Sequence, residues 1–549
     1  MSISLKRMWE KFKYRKLSGL YYFLCALFGL LNASGLFLYF AKRLPGTFPE
    51  ILLFLLITLV FSLIFLVCGK WLVFFDVNKT AIPYVPPKFY TFLSSHGFLA
   101  IALFIFLCWL PWIIVYYPAS IEWDTYNPIM QFLGMEEKTN HHPWFYAAMV
   151  GTFYKFGVSI GSKNLGMFLY VLIRDVICAL LYGRIVYKLE KYGVNRLFCF
   201  LVMLFYAVTP VWGAYAKIAF KNTFAAAVFA MMIMCAIDLV RGIDAQHSLM
   251  PSAFGIGFFG LLFCLHINNG ICVFLPISIL LIIALAVRLR KEFLILCAFL
   301  LIFGVYHHVI INVLDVRPSS AQEVMAIPMQ QLSRTVRDNY SSFTGEELDM
   351  VKEYAEPEAI SGAYDPLISD PVKSIWVNEH TKASRSLKLW LYMGIRYPKS
   401  YLEALIAHSY GYYAFTPREE EGAGNLNTGM TIFDWVKDPR FPDEFTCDYI
   451  DAFELPRQIL SKWAKIWDKI PVINLTDAIP LYTWLTVISG YIVLRKKKYL
   501  ELIPVLAMLI MIATCVASPV NGCFRYFCPV AAALPAFLGL ESFRGVKGE

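Results

Sequence analysis

The chain has 549 residues, of which 58% are hydrophobic, 16% aromatic and only 16% charged. Charged residues make up about 25% of an average soluble domain, so this composition excludes an ordinary soluble enzyme and points to an all-α polytopic membrane protein embedded in a lipid bilayer. The net charge of +9 does not indicate nucleic acid as a partner, because the Lys and Arg excess sits in short segments beside apolar runs, where it acts as a topology signal.

The N-terminus is basic (Lys6, Arg7, Lys11, Lys13, Arg15, Lys16) and runs straight into an apolar stretch with no small-residue cleavage site, which predicts an uncleaved first span. A helix needs about 20 apolar residues to cross the hydrocarbon. Candidate spans are 17–40, 48–69, 97–116, 164–187, 197–216, 222–240, 253–267, 270–287, 292–312, 475–494, 499–517 and 526–543, about twelve in all. This layout divides the chain into an N-terminal membrane domain (1–312), an intervening loop subdomain (313–474) and C-terminal membrane helices (475–549).

The basic clusters set the orientation. Lys188/Lys191/Arg196, Arg241, Arg288/Arg290/Lys291, Arg495–Lys498 and both termini are expected on the cytoplasmic side. That holds only if 143–161, PWFYAAMVGTFYKFGVSIG, does not cross, so it is expected to be an interfacial or re-entrant helix with its aromatics at headgroup depth. The outer face then collects loop 117–142, the AYAKIAFKN turn (Ala214–Asn222), the HINNG turn (His266–Gly270), the subdomain and the PVNGCFRY turn (Pro519–Tyr526). Within the subdomain, Thr344 followed by Glu346 and Glu347 suits a helix start.

Chemistry-bearing residues concentrate on that face. Glu122 and Asp124, spaced i and i+2, present two carboxylates to one side of an extended segment. One can accept a proton while the other positions it, or the two can share a divalent cation such as Mg or Mn. His141-His142 precede Pro143, which suits a first helical turn. Lys221 and Asn222 open a span on the outer side, against the charge bias, where Lys221 is placed to contact phosphate. Gln330 and Arg334 lie i, i+4 on one helix face with Glu323 and Gln331 nearby, and Arg334 suits bidentate anion recognition. Arg525-Tyr526 sit at the outer mouth of the last span. Arg174-Asp175 lie mid-span, where adjacent charges are expected to find separate partners on other spans. Most of the 13 cysteines fall in apolar runs, without metal-type spacing.

The order YYPASIEWDTYNPIMQ, NHHP, KIAFKNT, INNG, EVMAIPMQQLSRTV, YDPLISDPVK and a final outer RY, covering most of residues 96–545, resembles the bacterial integral-membrane proteins of the DUF6020 type, which are similar to GT-C superfamily glycosyltransferases. The resemblance implies a GT-C-like helical fold in the bacterial plasma membrane with its site on the extracytoplasmic side. It implies inverting transfer of a sugar from a polyprenyl-phosphate donor to an envelope glycan or lipid-linked acceptor. Asp124 then corresponds to the catalytic acid of the first large outer loop, with Glu122 beside it. His141, His142, Lys221, Asn222, Glu323, Gln330, Gln331, Arg334, Arg525 and Tyr526 are the expected substrate and phosphate contacts. The competing readings are a transporter or flippase of lipid-linked saccharides and a non-catalytic scaffold of an envelope-polymer machine.

Overall fold

A computed structural model of the chain describes residues 17–74, 86–121, 123–243, 248–285, 290–319, 323, 325–375, 383–417 and 449–542. Among the described residues all regular structure is helical. The elements that build the membrane part are α1 (Gly19–Phe40), α2 (Phe48–Phe74), α3 (Phe98–Val115), α4 (Trp123–Phe132), α5 (Trp144–Ser159), α6 (Lys163–Lys191), the pair α7 (Arg196–Val208) and α8 (Pro210–Ala216), α9 (Lys221–Gly242), α10 (Met250–His266), α11 (Gly270–Leu285) and α12 (Arg290–Val305). The subdomain contributes α13 (Ala326–Asn339), α14 (Pro398–Ser409) and α15 (Glu454–Lys469), and the chain closes with α16 (Ile479–Arg495), α17 (Leu502–Val516) and α18 (Phe524–Ser542).

Seven of the described helices are long and apolar enough to cross a membrane, and the pair α7–α8 makes an eighth if taken as one bent span. The bend of 43° falls at Thr209, which is extended, followed by Pro210 at the first position of α8. Proline cannot continue a helix and pushes its predecessor out of the helical region. Helices α10, α11, α16 and α18 are apolar too, over stretches of 10–17 residues. Each predicted span thus falls on a helix. Segment 143–161 forms α5, a 16-residue helix with Tyr146, Val150 and Tyr154 buried along one face.

Helix α9 is the axis of the bundle. Its sequence, KNTFAAAVFAMMIMCAIDLVRG, is apolar on all sides, as a fully surrounded helix requires, and its apolar window is entirely buried. It packs on α6, α10 and the Ala-rich α18, where small residues let backbones approach closely. By contrast few residues of α2 are fully buried, and its exposed Leu, Ile and Val side chains suit a hydrocarbon surrounding. Gly183 on α6 shows how close the contacts are: a Cβ there would lie 2.7 Å from both the backbone N and the Cβ of Ala102 on α3. Gly183→Ala is therefore expected to cost about 1–3 kcal/mol through overpacking. Gly304→Ala, where nothing lies within 4 Å, serves as the control. Equal melting temperatures for the two variants in detergent would refute the tight α3–α6 contact.

The subdomain has its own core of Met329, Leu332, Val336, Val351, Ile360, Leu389, Met393 and Tyr401. The helix start expected at Thr344 is present as a full capping box with Glu347, at the head of Gly345–Lys352. Three short backbone clasps then tie the loops at one end of the bundle together. Ser120 pairs with the lysine turn (Ser120 N to Lys217 O and Ala219 N to Ser120 O, both 2.9 Å). The histidine loop pairs with the entry to the subdomain (Asn140 N to Arg317 O, 2.7 Å), and the subdomain pairs with the turn before α18 (Ser369 N to Pro519 O, 2.9 Å). The loops expected to form one face do meet at one end of the bundle.

Candidate functional site

Asp124 sits in the first turn of α4, where a carboxylate faces the positive end of the helix dipole. The helix is fixed from beneath: the hydroxyls of Thr125 and Tyr146 both reach the Ala219 carbonyl, at 3.0 and 2.9 Å. Asp124 Oδ2 lies 3.2 Å from a guanidinium nitrogen of Arg525, in the first turn of α18, and Oδ1 lies 3.9 Å from His142 Nε2. Its side chain keeps 23% exposure, so it is reachable from outside the protein. Burial opposes its charge, but the cations nearby, Arg525 foremost and then Lys221, outweigh burial and hold the carboxyl well below the usual carboxylate range. Asp124 is ionised at neutral pH.

Lys221, the first residue of α9, places its ammonium 2.8 Å from His142 Nδ1. An ammonium only donates, so Nδ1 accepts and the neutral ring carries its proton on Nε2, the atom facing Asp124. The result is an ordered row: Lys221, His142, Asp124, Arg525. Burial, and then Lys221, push the His142 imidazole well below its ordinary pKa. A histidine whose folded pKa is depressed stabilises the fold fully above its unfolded value of about 6.5 and loses that contribution as pH falls through the window below it, by up to about 1.4 kcal/mol per pH unit. Melting temperature is thus expected to drop between pH 7.5 and 5.5, and His142→Asn is expected to flatten the drop. His408, lowered by burial as well, contributes to parent and variant alike, so the difference between them isolates His142. Parallel profiles would count against a buried neutral His142.

The two histidines divide their roles. His142 is buried in the row, whereas His141 is about half exposed and lies 3.8 Å from Glu323. Glu323 in turn accepts from Lys373 at 2.8 Å, and Lys373 also reaches Asp370 at 3.0 Å. The HINNG turn supports the histidine loop, with Asn268 Nδ2 donating to the carbonyls of Asn140 (2.7 Å) and His141 (2.9 Å). Asn222 joins α9 to α18 by donating to the Arg525 carbonyl at 3.0 Å, while its buried Oδ1 has no hydrogen-bond partner among the described residues. Arg525 donates to the Tyr526 hydroxyl at 3.2 Å. Asp124, His141, His142, Lys221, Asn222, Glu323, Arg525 and Tyr526 are thus brought together. Glu122 lies outside the described residues.

Gln330, Gln331 and Arg334 are not part of this group. Gln330 donates to Asp365 O (2.7 Å) beside His408, and Gln331 accepts from Trp390 Nε1 (2.8 Å). Arg334 is buried against Glu403 (2.7 Å), the Lys42 carbonyl (2.8 Å) and Asp338 (3.1 Å). Their shared helix face is real, but it points into the subdomain and the α1–α2 connection rather than toward Asp124. Arg174 and Asp175 also depart from expectation: the guanidinium folds back onto Asp175 Oδ1 (2.8 and 3.0 Å) while reaching the carbonyls of Ala216 (2.6 Å) and Ile218. A long, flexible side chain bridges a distance that helix geometry denies to short ones. Arg174 thereby props up the turn that carries Lys217 and Lys221.

Sequence reasoning missed Lys373 and Asp370. The DPVK segment shows only turn chemistry, and the glutamate that Lys373 meets is fifty positions upstream. Among the described residues no group of three or more His, Cys, Asp or Glu side chains is arranged to hold a metal; Glu122, the other member of the expected Glu122–Asp124 pair, lies outside them. Arg525 pairs with Asp124 and Lys221 with His142 beside it, and an arriving phosphate would compete for both cations.

No curated protein and no solved structure matches the chain. A protein family matches residues 136–545, a stretch that includes His141, His142, Lys221, Glu323, Lys373 and Arg525 and begins just after Asp124. That match covers most of the sequence, and the chain belongs to this family, described as a family of unknown function (DUF6020).

Proposed function

We propose that this protein is a membrane glycosyltransferase that moves a sugar from a polyprenyl-phosphate donor to an envelope glycan or lipid-linked acceptor, with inversion, on a GT-C-like bundle of twelve passes in the bacterial plasma membrane whose site faces outward. The observation that carries the reading is the position of Asp124, an ionised and reachable carboxylate held 3.2 Å from Arg525 and in line with His142 and Lys221. Asp124 is the base for the acceptor hydroxyl. The freed oxygen attacks the anomeric carbon through an oxocarbenium-like state as the bond to the phosphate oxygen breaks. Arg525 and Lys221 stabilise the charge left on the lipid phosphate. The phosphate draws Arg525 away from Asp124 on binding, which raises the carboxylate's affinity for a proton when the acceptor is in place.

A lipid-borne donor also suits helix α15, which packs at this end of the bundle. Arg457, Leu460 and Ala464 face the protein against Trp112 and Tyr116. Leu455, Ile459, Trp463 and Ile466 form an exposed apolar stripe, and Lys462, Lys465 and Lys469 lie on a third side. That is the pattern of a helix seated in a membrane interface, beside the loop that carries Asp124.

The test is purified protein with a panel of labelled polyprenyl-phosphate sugars and an added acceptor extract, with and without chelator. Label is expected to pass to acceptor from a lipid-phosphate sugar and not from a nucleotide sugar. Transmembrane movement of an intact lipid-linked saccharide in proteoliposomes, without transfer, would replace this reading by transport.

A further inference from the structure

Helix α9 runs about 30 Å along the bundle, given the rise per residue of an α-helix, from Lys221 at the Asp124 end to Asp238 and Arg241 at the other. At that far end a cleft of about 590 Å³ opens between the end of α9 and the connection from α16 to α17. It is lined by Tyr192, Asp238, Arg241, Lys497, Lys498 and Glu501 among others. Both carboxylates in it already have cations. Asp238 is paired with Lys188, and Glu501 with Arg241 (3.2 Å) and Lys498 (3.0 Å). Lys497 adds a further positive charge, and its ammonium has no hydrogen bond or ion pair among the described residues.

The backbone at Lys497 is the second observation. Lys497 follows the end of α16 with φ +58°. Lys497 N donates to Leu494 O (3.0 Å) and Lys498 N to Val493 O (3.2 Å), the bonding of a Schellman cap. That cap places its left-handed residue here, and glycine is the residue that adopts it without steric cost. Favourable contact with the helix dipole does not explain a lysine at this position, because Arg495, Lys496 and Lys498 already supply charge to the same helix end. A left-handed lysine lining an open cleft is a local cost that function offsets.

We propose that this cleft binds the phosphate of an anionic phospholipid headgroup, with Lys497 and Arg241 as its contacts, in the leaflet opposite Asp124. The site is separate from the transfer chemistry and does not depend on it. Its chemistry is that of juxtamembrane basic pockets, in which each Lys or Arg contributes about fivefold to affinity for an anionic surface.

The experiment uses full-length protein in neutral detergent with added phosphatidylglycerol, phosphatidylcholine or inorganic phosphate, read by melting temperature and by retained lipid in native mass spectrometry. Phosphatidylglycerol is expected to raise the melting temperature of the parent and to be retained, and the other two are not. Lys497→Gly relieves the backbone, so this variant is expected to melt higher than the parent without lipid, yet to bind phosphatidylglycerol about fivefold more weakly. Lys42→Gly is the control, because Lys42 also has a positive φ (57°) but follows α1, away from the cleft, and it is expected to keep the parent's lipid response. The proposal is overturned if Lys497→Gly responds to phosphatidylglycerol as the parent does, if Lys42→Gly loses the response equally, or if inorganic phosphate stabilises as well as the lipid.

Discussion

Asp124→Asn is expected to lower sugar transfer by about 10²–10⁴-fold, the range of a lost general base, while the protein remains inserted and folded. The substitution keeps the shape of the side chain and removes its charge. It also leaves Arg525, whose side chain is only 14% exposed, without its carboxylate partner, so a modest loss of stability accompanies the loss of rate. Two measurements separate these effects. Melting temperature reports the loss of the Arg525–Asp124 ion pair, and single-turnover transfer reports the base. Arg525→Gln is expected to slow transfer as well, chiefly by weakening donor binding and leaving-group stabilisation. The double variant is expected to be less impaired than the sum of the two, because both act at one ion pair. Transfer by Asp124→Asn within about threefold of the parent, at equal folded protein, would contradict a general base at this position.

The second large effect is structural. Arg334→Ala is expected to cost about 3–5 kcal/mol, as breaking one side of a buried ion pair does. Both partners are nearly inaccessible, with side-chain exposures of 3% for Arg334 and 4% for Glu403. The Glu403 carboxylate would be left buried, with Leu44 N at 2.8 Å and the exposed Lys399 ammonium at 4.0 Å. The Lys42 carbonyl loses its donor at the same time. Those contacts join the α1–α2 connection to α13 and α14, so the expected symptom is a loosened subdomain: a lower melting temperature and faster proteolysis between α13 and α14. Glu403→Gln should be milder, and the pair should show a coupling of about 0.5–3 kcal/mol in a double-mutant cycle. If Arg334→Ala melts with the parent but requires several-fold more donor for half-maximal transfer, Arg334 touches the phosphate after all.

The contrast between Arg334 and Arg525 marks what was legible in the sequence. Apolar run length placed the apolar helices, seven or eight of which among the described residues are long enough to cross a membrane. Glycine, proline and asparagine marked the turns, and Thr344 with Glu347 marked its helix start. Polar residues clustered in loops that do meet at one end. Partner choice was another matter. Helical spacing put Gln330 and Arg334 on one face but carried no information about what that face meets, and it meets Glu403 and His408. Likewise HHP does not reveal which histidine turns inward; the hydrogen bond from Lys221 settles that. Lys373 was invisible because a four-residue helix leaves no periodic trace. The rule that neighbouring helical residues face apart failed for Arg174 and Asp175 because it describes Cβ directions, not the reach of a guanidinium.

The three backbone clasps carry a consequence for how the protein is made. They join residue 120 to 218, 139 to 317 and 368 to 520, and Arg525 follows the last of them. A nascent chain leaving the ribosome therefore carries Asp124 long before Arg525 has been synthesised. No prefix that ends before Arg525 contains the complete row of Lys221, His142, Asp124 and Arg525. Chains truncated before α18 should insert yet remain inert, and Asp124, lacking Arg525, should be the group whose state changes when the final helix docks. Synthesis of α18 is in this sense what completes the row.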